Sequence, residues 1–586
     1  MEAQSPWPRP VPVVGDTTSA AERSADPSGW AMPRADIDAL ARIMKARRDI
    51  RRFRPDPVPD AVLDRLLEAA HQAPSVGHSQ PWRMIVVTDP QTRARAALMA
   101  DRSRIQQAAQ MEEEAGRHLL DLDLEGIREA PLGIVFCCDR RTPAAGVLGR
   151  ATFPDADMWS CACAIENLWL AARAEGLGVG WVTLFDPREL AALVGTPEGV
   201  STLGWLCVGW PDERPPSPGL ERRGWSVRQP LEEVVIRERW PAASGPASPA
   251  SRLAPPPQSA VVSAHDRGDD LLTPPGSLGV LDRAVDRLLA VAPGGFDRGA
   301  LVLAASDHPV ARLGVSAYPV SVTRTVAEAS VRGVSVGAVS AAQAGLSLTV
   351  VDAGVLGDPI EGARDMRPCR PTGDLAHADG LCPDDVLRLV EGGGALGAEL
   401  VAGGAQLVAL GEVGVANTTV AAALGSALLR SDPTALVGLG AGSDSAIVAA
   451  KREVVAAAVA RAGEGDAIQL LGRLGGGEMA VLAGVVLGVA GAGGMVVLDG
   501  MATGVAALAA VGMEPSAAAH LIAGQRSREP GHPAVLTALG LEPLLDLRLR
   551  AGEGVGAALA VNLLRAAVAV RLYSARTVPG STGREA

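Results

Sequence analysis

A stretch rich in proline, alanine and serine at 241–260 divides this chain into two halves of different composition. All ten tryptophans lie between Trp7 and Trp240, whereas 49 of the 67 glycines fall within residues 251–586. The stretch itself, PAASGPASPASRLAPPPQSA, is nearly uncharged, as a semi-extended linker would be. Two halves that differ this much are expected to fold separately.

Length and composition also favour a two-domain globular protein. At 586 residues the chain exceeds what one hydrophobic core normally supports, so we expect domains at 33–240 and 261–586. Hydrophobic residues make up 48% and charged residues 20%, which excludes a wholly disordered or coiled-coil chain. Residues 1–32 contain no apolar run and have an acid at position 2, so we expect a disordered tail and a cytoplasmic location rather than a secretory signal.

Charge and cysteine usage argue against several classes of partner. The formal net charge of -12 is spread along the chain without a basic lobe, so we expect neither a nucleic-acid nor a membrane partner. Seven cysteines without a CxxC spacing argue against a disulfide framework or a zinc site, and we expect no metal. An uncharged stretch at 479–498 has the length of a membrane span, but its five glycines predict a buried helix, a turn and a strand.

The first half alternates helical and strand patterns. Apolar residues at helical spacing occur at 37–44 and 158–174, and strand patterns occur at 84–87, 134–138 and 178–184. The aspartate of Asp186-Pro187 is expected to cap a further helix. The pattern predicts a mixed α+β architecture.

Two segments of the first half have residue types suited to a phosphorylated heterocycle. The run RRDIRRF (47–53) concentrates four guanidiniums in six residues, and arginine forks suit phosphate. A solvated charge run at a helix end explains the same spacing equally well. The loop APSVGHSQPW (73–82) consists mostly of small residues, so its backbone and hydroxyl groups could approach a flat ring.

Together with AIENLWLAARAEGLGVGW (164–181) and Thr183, these segments resemble the nitroreductase-like flavin-binding fold and, within it, the 5,6-dimethylbenzimidazole synthase family. Ordinary nitroreductases usually have serine where Asp49 stands, so the acid favours the synthase branch. The resemblance implies that reduced FMN, supplied by a separate flavin reductase, is consumed as a substrate with O2. Its fragmentation would give dimethylbenzimidazole and erythrose 4-phosphate.

The same resemblance assigns roles to individual residues. Asp49 is the acid-base candidate, because several proton transfers accompany the fragmentation. Thr183 stands where the family usually has a functional serine, and it keeps the hydroxyl group. The residues expected to bind the flavin and its phosphate are Arg47, Arg48, Arg51, Ser75, Gly77, His78 and Arg222.

The second half repeats short βα units, including VVDAG, LVALGEVG, LVGLGAG and MVVLDG, which predict an α/β domain with a mostly parallel sheet. Glycine-rich turns that open helices are anion sites, because backbone N–H groups and the helix dipole face the ligand together. Candidates are GEVGVANTT (411–419) and GLGAGS (438–443). Tight turn packing is the alternative, and neither turn contains a Walker lysine or a dinucleotide fingerprint.

Further motifs, LTPPGSLG (272–279), GVSAYP (314–319), EPGH (529–532) and GEGVG (552–556), complete an ordered pattern. It resembles the nicotinate-nucleotide-dimethylbenzimidazole phosphoribosyltransferase family over about 270–570. The resemblance implies that a ring nitrogen of dimethylbenzimidazole displaces nicotinate from nicotinate mononucleotide, giving α-ribazole phosphate.

Within this resemblance Glu553 matches the family's general base, and Glu412 is the second carboxylate of the pocket. Burial would raise the pKa of a glutamate and a nearby helix N-terminus would lower it, and the sequence leaves both effects open. The expected phosphoribosyl cradle consists of Gly414, Asn417, Thr418, Thr419, Gly440 and Gly442. Residues that depart from the family's usual pattern are Pro309, Val320, Leu439, Ala441 and Gln525.

The product of the first half is the acceptor of the second, so we expect a bifunctional enzyme that makes the lower-ligand nucleotide of cobalamin. One alternative joins a flavin reductase or nitroreductase to a phosphoribosyltransferase of other base specificity. Another makes the second half a non-catalytic azole-binding module, which the departures from the family pattern would favour. Both families are usually dimeric, so a homodimer is expected. Asp307-His308 is expected to be structural, because no third metal ligand has suitable spacing.

Overall fold

The computed structural model describes residues 25–26, 28–120, 126–238, 252–274, 276–440 and 445–576. Within these ranges the contacts separate two compact units, 28–238 and 252–576. Most of the predicted tail and residues 241–251 of the predicted linker lie outside the described residues, so the bounds of the four predicted segments stay predictions. The end of the predicted linker overlaps a helix that begins at Gln258.

The first unit is built on a four-stranded antiparallel sheet in the order β1-β2-β4-β3. Its strands are β1 Trp82–Val87, β2 Leu132–Asp139, β3 Gly178–Val182 and β4 Val200–Gly209. Its helices are α1 Arg34–Ala46, α2 Asp60–His71, α3 Pro90–Ala109, α4 Glu113–Leu120, α5 Ala156–Ala174, α6 Pro187–Val194, α7 Gly219–Arg222 and α8 Leu231–Val234, with 3-10 turns at Val76–His78 and Ala144–Gly146. The predicted α+β architecture is confirmed.

Alternating side chains of β2 face two separate apolar layers. Ile134 and Phe136 pack in one layer with residues of α2 and α5, whereas Val135 and Cys137 pack in the other with Trp205. Because both faces are covered, the sheet forms the centre of the unit. The predicted cap of α6 is also confirmed, since the Asp186 carboxylate accepts two backbone N–H groups of the first turn.

The second unit is built on a six-stranded parallel sheet in the order β10-β9-β8-β5-β6-β7. Its strands are β5 Gly299–Ala305, β6 Leu346–Asp352, β7 Arg364–Asp365, β8 Leu407–Val413, β9 Met495–Leu498 and β10 Leu521–Ala523. The helices that come before β8 in the chain are α9 Gln258–Asp269, α10 Val280–Val291, α11 Ser321–Val331, α12 Val336–Gln343 and α13 Pro383–Ala402. The helices that come after β8 are α14 Asn417–Leu429, α15 Ser445–Ala462, α16 Ala467–Leu474, α17 Gly477–Gly491, α18 Met501–Met513, α19 His532–Ala538 and α20 Val555–Tyr573. Two 3-10 turns lie at Pro309–Leu313 and Pro515–His520.

The uncharged stretch at 479–498 is the predicted buried helix, turn and strand, formed by α17 and β9. Helix α17 packs against α13 so closely that a Cβ on Gly484 would lie 2.1 Å from the carbonyl oxygen of Val390. Glycine is therefore required where the two backbones meet. By length and composition one described helix, α20, could cross a bilayer, and 56% of its most apolar window is buried inside the protein.

A buried arginine joins three helices of the second unit. The Arg571 side chain is 2% exposed and donates to Asp282 at 2.7 Å, to Asp286 at 2.5 Å and to the carbonyl oxygen of Ala264 at 2.6 Å. These contacts tie α20 to α10 and α9. Gly268 leaves space for the Arg571 guanidinium, because a Cβ at position 268 would lie 2.6 Å from the guanidinium carbon.

We expect Arg571→Ala to lower the free energy of unfolding of the second unit by about 3–5 kcal/mol, because two carboxylates lose their buried counterion. Far-UV circular dichroism during denaturant titration measures this loss, while tryptophan fluorescence reports only the first half. The matched control is Arg452→Ala on the exposed face of α15, where a change within about 0.5 kcal/mol is expected. Equal effects of the two variants would contradict the role of Arg571.

Candidate active sites

A cleft of about 1390 Å³ in the first unit collects the arginines singled out in the sequence. Eight cationic side chains and only three carboxylates line it, so the cleft favours an anionic ligand. The cationic residues are Lys45, Arg47, Arg48, Arg51, Arg52, Arg222, Arg223 and Arg228, and the acidic ones are Asp49, Glu213 and Glu221. Of the predicted flavin ligands, the structure therefore brings Arg47, Arg48, Arg51 and Arg222 together with Asp49.

The segment that carries Asp49 lies directly against β3. The backbone N–H of Ile50 donates to the carbonyl oxygen of Val179 at 3.0 Å, and Asp49 forms an isolated bridge with the same residue. A Cβ on Gly180 would lie 2.3 Å from the carbonyl oxygen of Ile50. The glycines of GVGWV are therefore what allows the segment to approach the strand.

The Asp49 carboxylate is held by two neighbours. The Arg51 guanidinium donates to one oxygen, and the backbone N–H of Trp181 donates to the other at 3.2 Å. Burial raises the pKa of Asp49 above its usual range, although Arg51 and the Trp181 N–H oppose this shift. A carboxyl group held in one orientation beside a cationic cleft is suited to moving a proton.

Glu213, which the sequence did not single out, fixes the arginine run. Its carboxylate accepts the backbone N–H groups of Arg51 at 2.7 Å and Arg52 at 3.1 Å. The Arg47 guanidinium lies 4.7 Å from the centre of the Trp169 ring. No local pattern marks Glu213, because it lies 162 positions from Arg51 in the sequence.

The remaining predicted flavin residues do not line this cleft. Ser75, Gly77 and His78 lie in the loop before β1, where the Ser75 hydroxyl accepts the N–H of Gln80 at 3.0 Å. Gly77, His78 and Gln80 all have positive φ, at 54°, 53° and 47°, so the loop is strained. Thr183 follows the end of β3 and is exposed, also outside the cleft lining. The roles of these residues stay predictions.

A cavity of about 290 Å³ lies at the carboxyl ends of the parallel strands in the second unit. Ligands of open α/β sheets bind at this edge. Glu412 in β8 and Asp499 after β9 line the cavity, and so does Glu553 in the turn before α20. Both predicted carboxylates therefore share one cavity. Asp499 was missed, although its position directly after the apolar strand MVVL is the signal that could have found it.

The backbone places Glu553 beside Glu412. The N–H of Glu553 donates to the carbonyl oxygen of Glu412 at 3.2 Å. Glu553 has a φ of 58° between Gly552 at 64° and Gly554 at 76°, a run of left-handed residues that only a closely packed turn maintains. A Cβ on Gly411 would lie 2.7 Å from the Glu553 carbonyl carbon, so glycine is needed for this approach.

Burial decides the protonation of Glu412. Burial and, after it, the negative charges of Asp499 and Glu478 raise the pKa of Glu412 to about 8. The Asn417 amide, which donates to the Glu412 carboxylate, and His308 oppose the shift. From the sequence, burial could raise the pKa of this glutamate or a helix N-terminus could lower it. In the structure the effect of burial on the pKa of Glu412 is the larger one. Glu412 therefore carries a proton at neutral pH.

Two further carboxylates of the cavity accept N–H groups at helix N-termini, and Glu529 is a fourth carboxylate in its lining. The Glu553 carboxylate accepts the N–H of Gly337 at 2.9 Å, in the first turn of α12. Asp499 accepts the N–H of Gly556 at 2.7 Å at the start of α20, and burial still raises its pKa to about 6. Held at the cavity by the Gly337 N–H, the Glu553 carboxylate is the candidate proton acceptor.

Lys451, one of two lysines in the chain, supplies the buried cation of this cavity. It is 3% exposed and donates to the hydroxyl of Thr418 at 3.2 Å and to the carbonyl oxygen of Gly438 at 3.4 Å. Burial lowers the pKa of Lys451, while Glu529 opposes this effect. A desolvated ammonium group at this position can hold a phosphate.

The predicted phosphoribosyl cradle is brought together in part. Gly414, Asn417, Thr418 and Gly440 line the cavity, whereas Thr419 is 1% exposed and does not line it. Gly442 lies outside the described residues. The N–H groups of Val415 and Asn417 are already bonded, to the Thr323 hydroxyl and to the carbonyl oxygen of Gly414. The cradle therefore offers fewer free N–H groups than expected, and further cationic lining comes from Lys451, Arg528 and Arg550.

The raised pKa of Glu412 predicts how the stability of the second unit depends on pH. The folded state keeps this proton up to about pH 8, whereas an unfolded glutamate releases it near 4.5. Because the folded state binds more protons between these values, its stability falls as pH rises through that window. We expect Glu412→Gln to reduce this fall, measured as the midpoint of thermal unfolding by circular dichroism. An unchanged pH dependence in the variant would contradict the assigned protonation.

Two sites of this kind, each in a unit of its own, define a chain with two enzymatic halves. The nitroreductase family model matches residues 44–210, and a phosphoribosyltransferase family model matches residues 253–576. A protein of Rhodospirillum rubrum named 5,6-dimethylbenzimidazole synthase is 44% identical over 195 residues, which cover 33% of this chain and 92% of that protein.

A protein of Mycobacterium avium named nicotinate-nucleotide-dimethylbenzimidazole phosphoribosyltransferase is 42% identical over 327 residues, or 54% of this chain and 93% of that protein. A crystal structure of the enzyme of that name from Thermus thermophilus has 40% sequence identity and a TM-score of 0.51, covering 54% of this chain and 97% of that one. The chain belongs to the 5,6-dimethylbenzimidazole synthase family through its first half and to the nicotinate-nucleotide-dimethylbenzimidazole phosphoribosyltransferase family through its second.

Proposed function

We propose that this chain is a bifunctional enzyme that makes α-ribazole phosphate from reduced FMN and nicotinate mononucleotide. The first half fragments reduced FMN with O2 to dimethylbenzimidazole. The second half attaches that base to the phosphoribosyl group of nicotinate mononucleotide and releases nicotinate. The observation that carries the proposal is the cavity in which Glu553 and Glu412 lie with the buried Lys451. It supplies a proton acceptor, a protonated carboxyl group and a phosphate-binding cation in one place.

In the transferase half, the bond between the ribose C1′ and the nicotinate nitrogen breaks as a ring nitrogen of dimethylbenzimidazole bonds to C1′. The azole N–H must lose its proton, and the Glu553 carboxylate accepts it. Lys451 holds the phosphate, assisted by Arg528 and Arg550 from the same cavity lining. Glu412, neutral at pH 7, presents its carboxyl group to the bound substrates without repelling the phosphate.

In the synthase half, the residues present fit a phosphorylated flavin. The cleft is cationic, and the Nε of Arg48, a residue of its lining, is buried without a hydrogen-bond partner among the described residues. Arg47, Arg48 and Arg222 would hold the phosphate and the flavin edge. Reduced flavin supplies the electrons with which O2 reacts. Asp49, oriented by Arg51 and the Trp181 N–H, moves protons at its carboxylate oxygens during fragmentation.

A homodimer would complete the flavin site. Helix α1 has no buried residue, and its apolar Ile37, Leu40 and Met44 are 42%, 48% and 51% exposed. Apolar side chains at helical spacing on an open face favour a protein partner. The loop with Ser75 and His78, which does not line the cleft within one copy, could reach the flavin from a second copy. Sedimentation of the full chain tests this assembly, with a monomer as the contradicting result.

A separate flavin reductase is part of the proposed function, because reduced FMN is consumed rather than recycled. We also place the enzyme in the cytoplasm. The proposal includes O2 as the oxidant and no metal. Anaerobic incubation and chelator treatment test the last two points: dimethylbenzimidazole formation should stop without O2 and continue with the chelator.

The two half-reactions are tested separately. Aerobic incubation of the purified chain with chemically reduced FMN should yield dimethylbenzimidazole, and incubation with dimethylbenzimidazole and nicotinate mononucleotide should yield α-ribazole phosphate and nicotinate. Flavin that is only reoxidised would favour an ordinary reductase in the first half. Azole binding by calorimetry without turnover would favour a non-catalytic module in the second.

A further inference from the structure

A buried ion pair lies in the second unit outside the cavity lining. The imidazole Nε2 of His308 is 3.0 Å from a carboxylate oxygen of Glu478, and the two side chains are 4% and 0% exposed. Burying two charges costs as much as or more than their attraction returns, so such a pair is weak evidence for a stabilising role. A role at the neighbouring site is the alternative.

The pair lies against the turn that follows Glu412. A Cβ on Gly414, two residues after Glu412, would lie 3.0 Å from His308 Nε2. A Cβ on Gly476 would lie 2.5 Å from both His308 and Glu478. Glycine on both turns thus leaves room for the ion pair, and the His308 imidazole lies beside the turn that follows Glu412.

Several charged groups face this pair and Glu412. His308 faces Glu478 on α17, Asp307 on its own loop and Glu412 on β8. Burial lowers the pKa of His308, but these carboxylates outweigh burial and the net shift is upward. Glu412 faces Asp499 beyond β9 in addition to Glu478 and His308, and the backbone of Glu553 is bonded to it. The charge of Glu478 acts on Glu412 more strongly than that of His308 does.

We propose that His308 and Glu478 are positioning residues of the transferase site, which support the turn after Glu412 and set the pH range in which Glu412 keeps its proton. Neither residue lines the cavity, and both act through Glu412. The inference rests on the proposed transferase activity. It assigns a role to the Asp307-His308 motif, for which the sequence predicted only a structural one.

The test uses the full chain and the pH profile of kcat/KM for nicotinate mononucleotide, with saturating dimethylbenzimidazole. In Glu478→Gln a negative charge that raises the pKa of Glu412 is lost and the uncompensated imidazole becomes neutral, so the ionisation near pH 8 should move to lower pH by about 0.5 unit or more. Because the single change leaves His308 without its partner, the double variant His308→Gln/Glu478→Gln is measured as well. Its two amides can hydrogen-bond each other, and the same acid shift is expected.

The control is Glu391→Gln on the exposed face of α13, which should leave the profile unchanged. Wild-type activity is measured first, so absence of α-ribazole phosphate there would contradict the proposed function, not this inference. An active wild type with unshifted profiles in both variants would overturn the inference. Failure of the double variant to fold would also overturn it, since the pair would then serve folding rather than Glu412.

Discussion

Replacing Glu553 by glutamine is expected to lower the transferase kcat by about 10²–10⁴-fold, the usual contribution of a general base. Glutamine keeps the shape of the side chain and can still accept the N–H of Gly337, so the turn and helix α12 should stay in place. It cannot take the azole proton. The rate of α-ribazole phosphate formation from supplied dimethylbenzimidazole measures the effect.

The synthase half provides an internal control for this variant. Dimethylbenzimidazole formation from reduced FMN should be the same in Glu553→Gln as in the wild type, and Glu391→Gln should retain both activities. A Glu553→Gln enzyme with full transferase activity would contradict the assigned base. In that case another carboxylate of the cavity, Glu412, Asp499 or Glu529, would have to accept the proton.

Replacing Asp49 by asparagine is expected to lower dimethylbenzimidazole formation by about 10²-fold or more, because the proton-carrying group beside the flavin is lost. The amide oxygen can still accept from Arg51 or from the Trp181 N–H, so the segment should remain against β3. Chromatography of the products after aerobic incubation with reduced FMN measures the loss.

The matched control is Asp64→Asn on the exposed side of α2, which should leave both activities unchanged. Transferase activity with supplied dimethylbenzimidazole should also survive Asp49→Asn, since that reaction uses the other unit. Wild-type rates of fragmentation in Asp49→Asn would show that Asp49 does not carry the protons.

Local patterns in the sequence were sufficient to predict both architectures. Strand alternation and helical spacing reflect which faces are buried, and the βα repeats of the second half reflect a parallel sheet. The predicted buried helix and strand at 479–498 are α17 and β9 for the same reason. Glu412 and Glu553 were assigned through the family resemblance, whose motifs include the glycine-rich turns that hold them.

Contacts between distant residues left no such pattern. Glu213 binds the arginine run from 162 positions away, and the pairing of His308 with Glu478 depends on how β5 meets α17. The charge of Lys451 was visible, but only the fold brings it to the cavity. The same limit affects Ser75 and His78, which do not line the cleft and whose predicted place beside the flavin rests on the proposed second copy.

The most direct test of the bifunctional assignment follows the carbon atoms through both reactions. Reduced FMN labelled with carbon-13 in its dimethylbenzene ring is mixed with the purified chain and nicotinate mononucleotide, and O2 is then admitted. The bifunctional assignment predicts α-ribazole phosphate that carries the label in its base, together with released nicotinate. Labelled FMN recovered intact, with no labelled dimethylbenzimidazole and no labelled nucleotide, would contradict it.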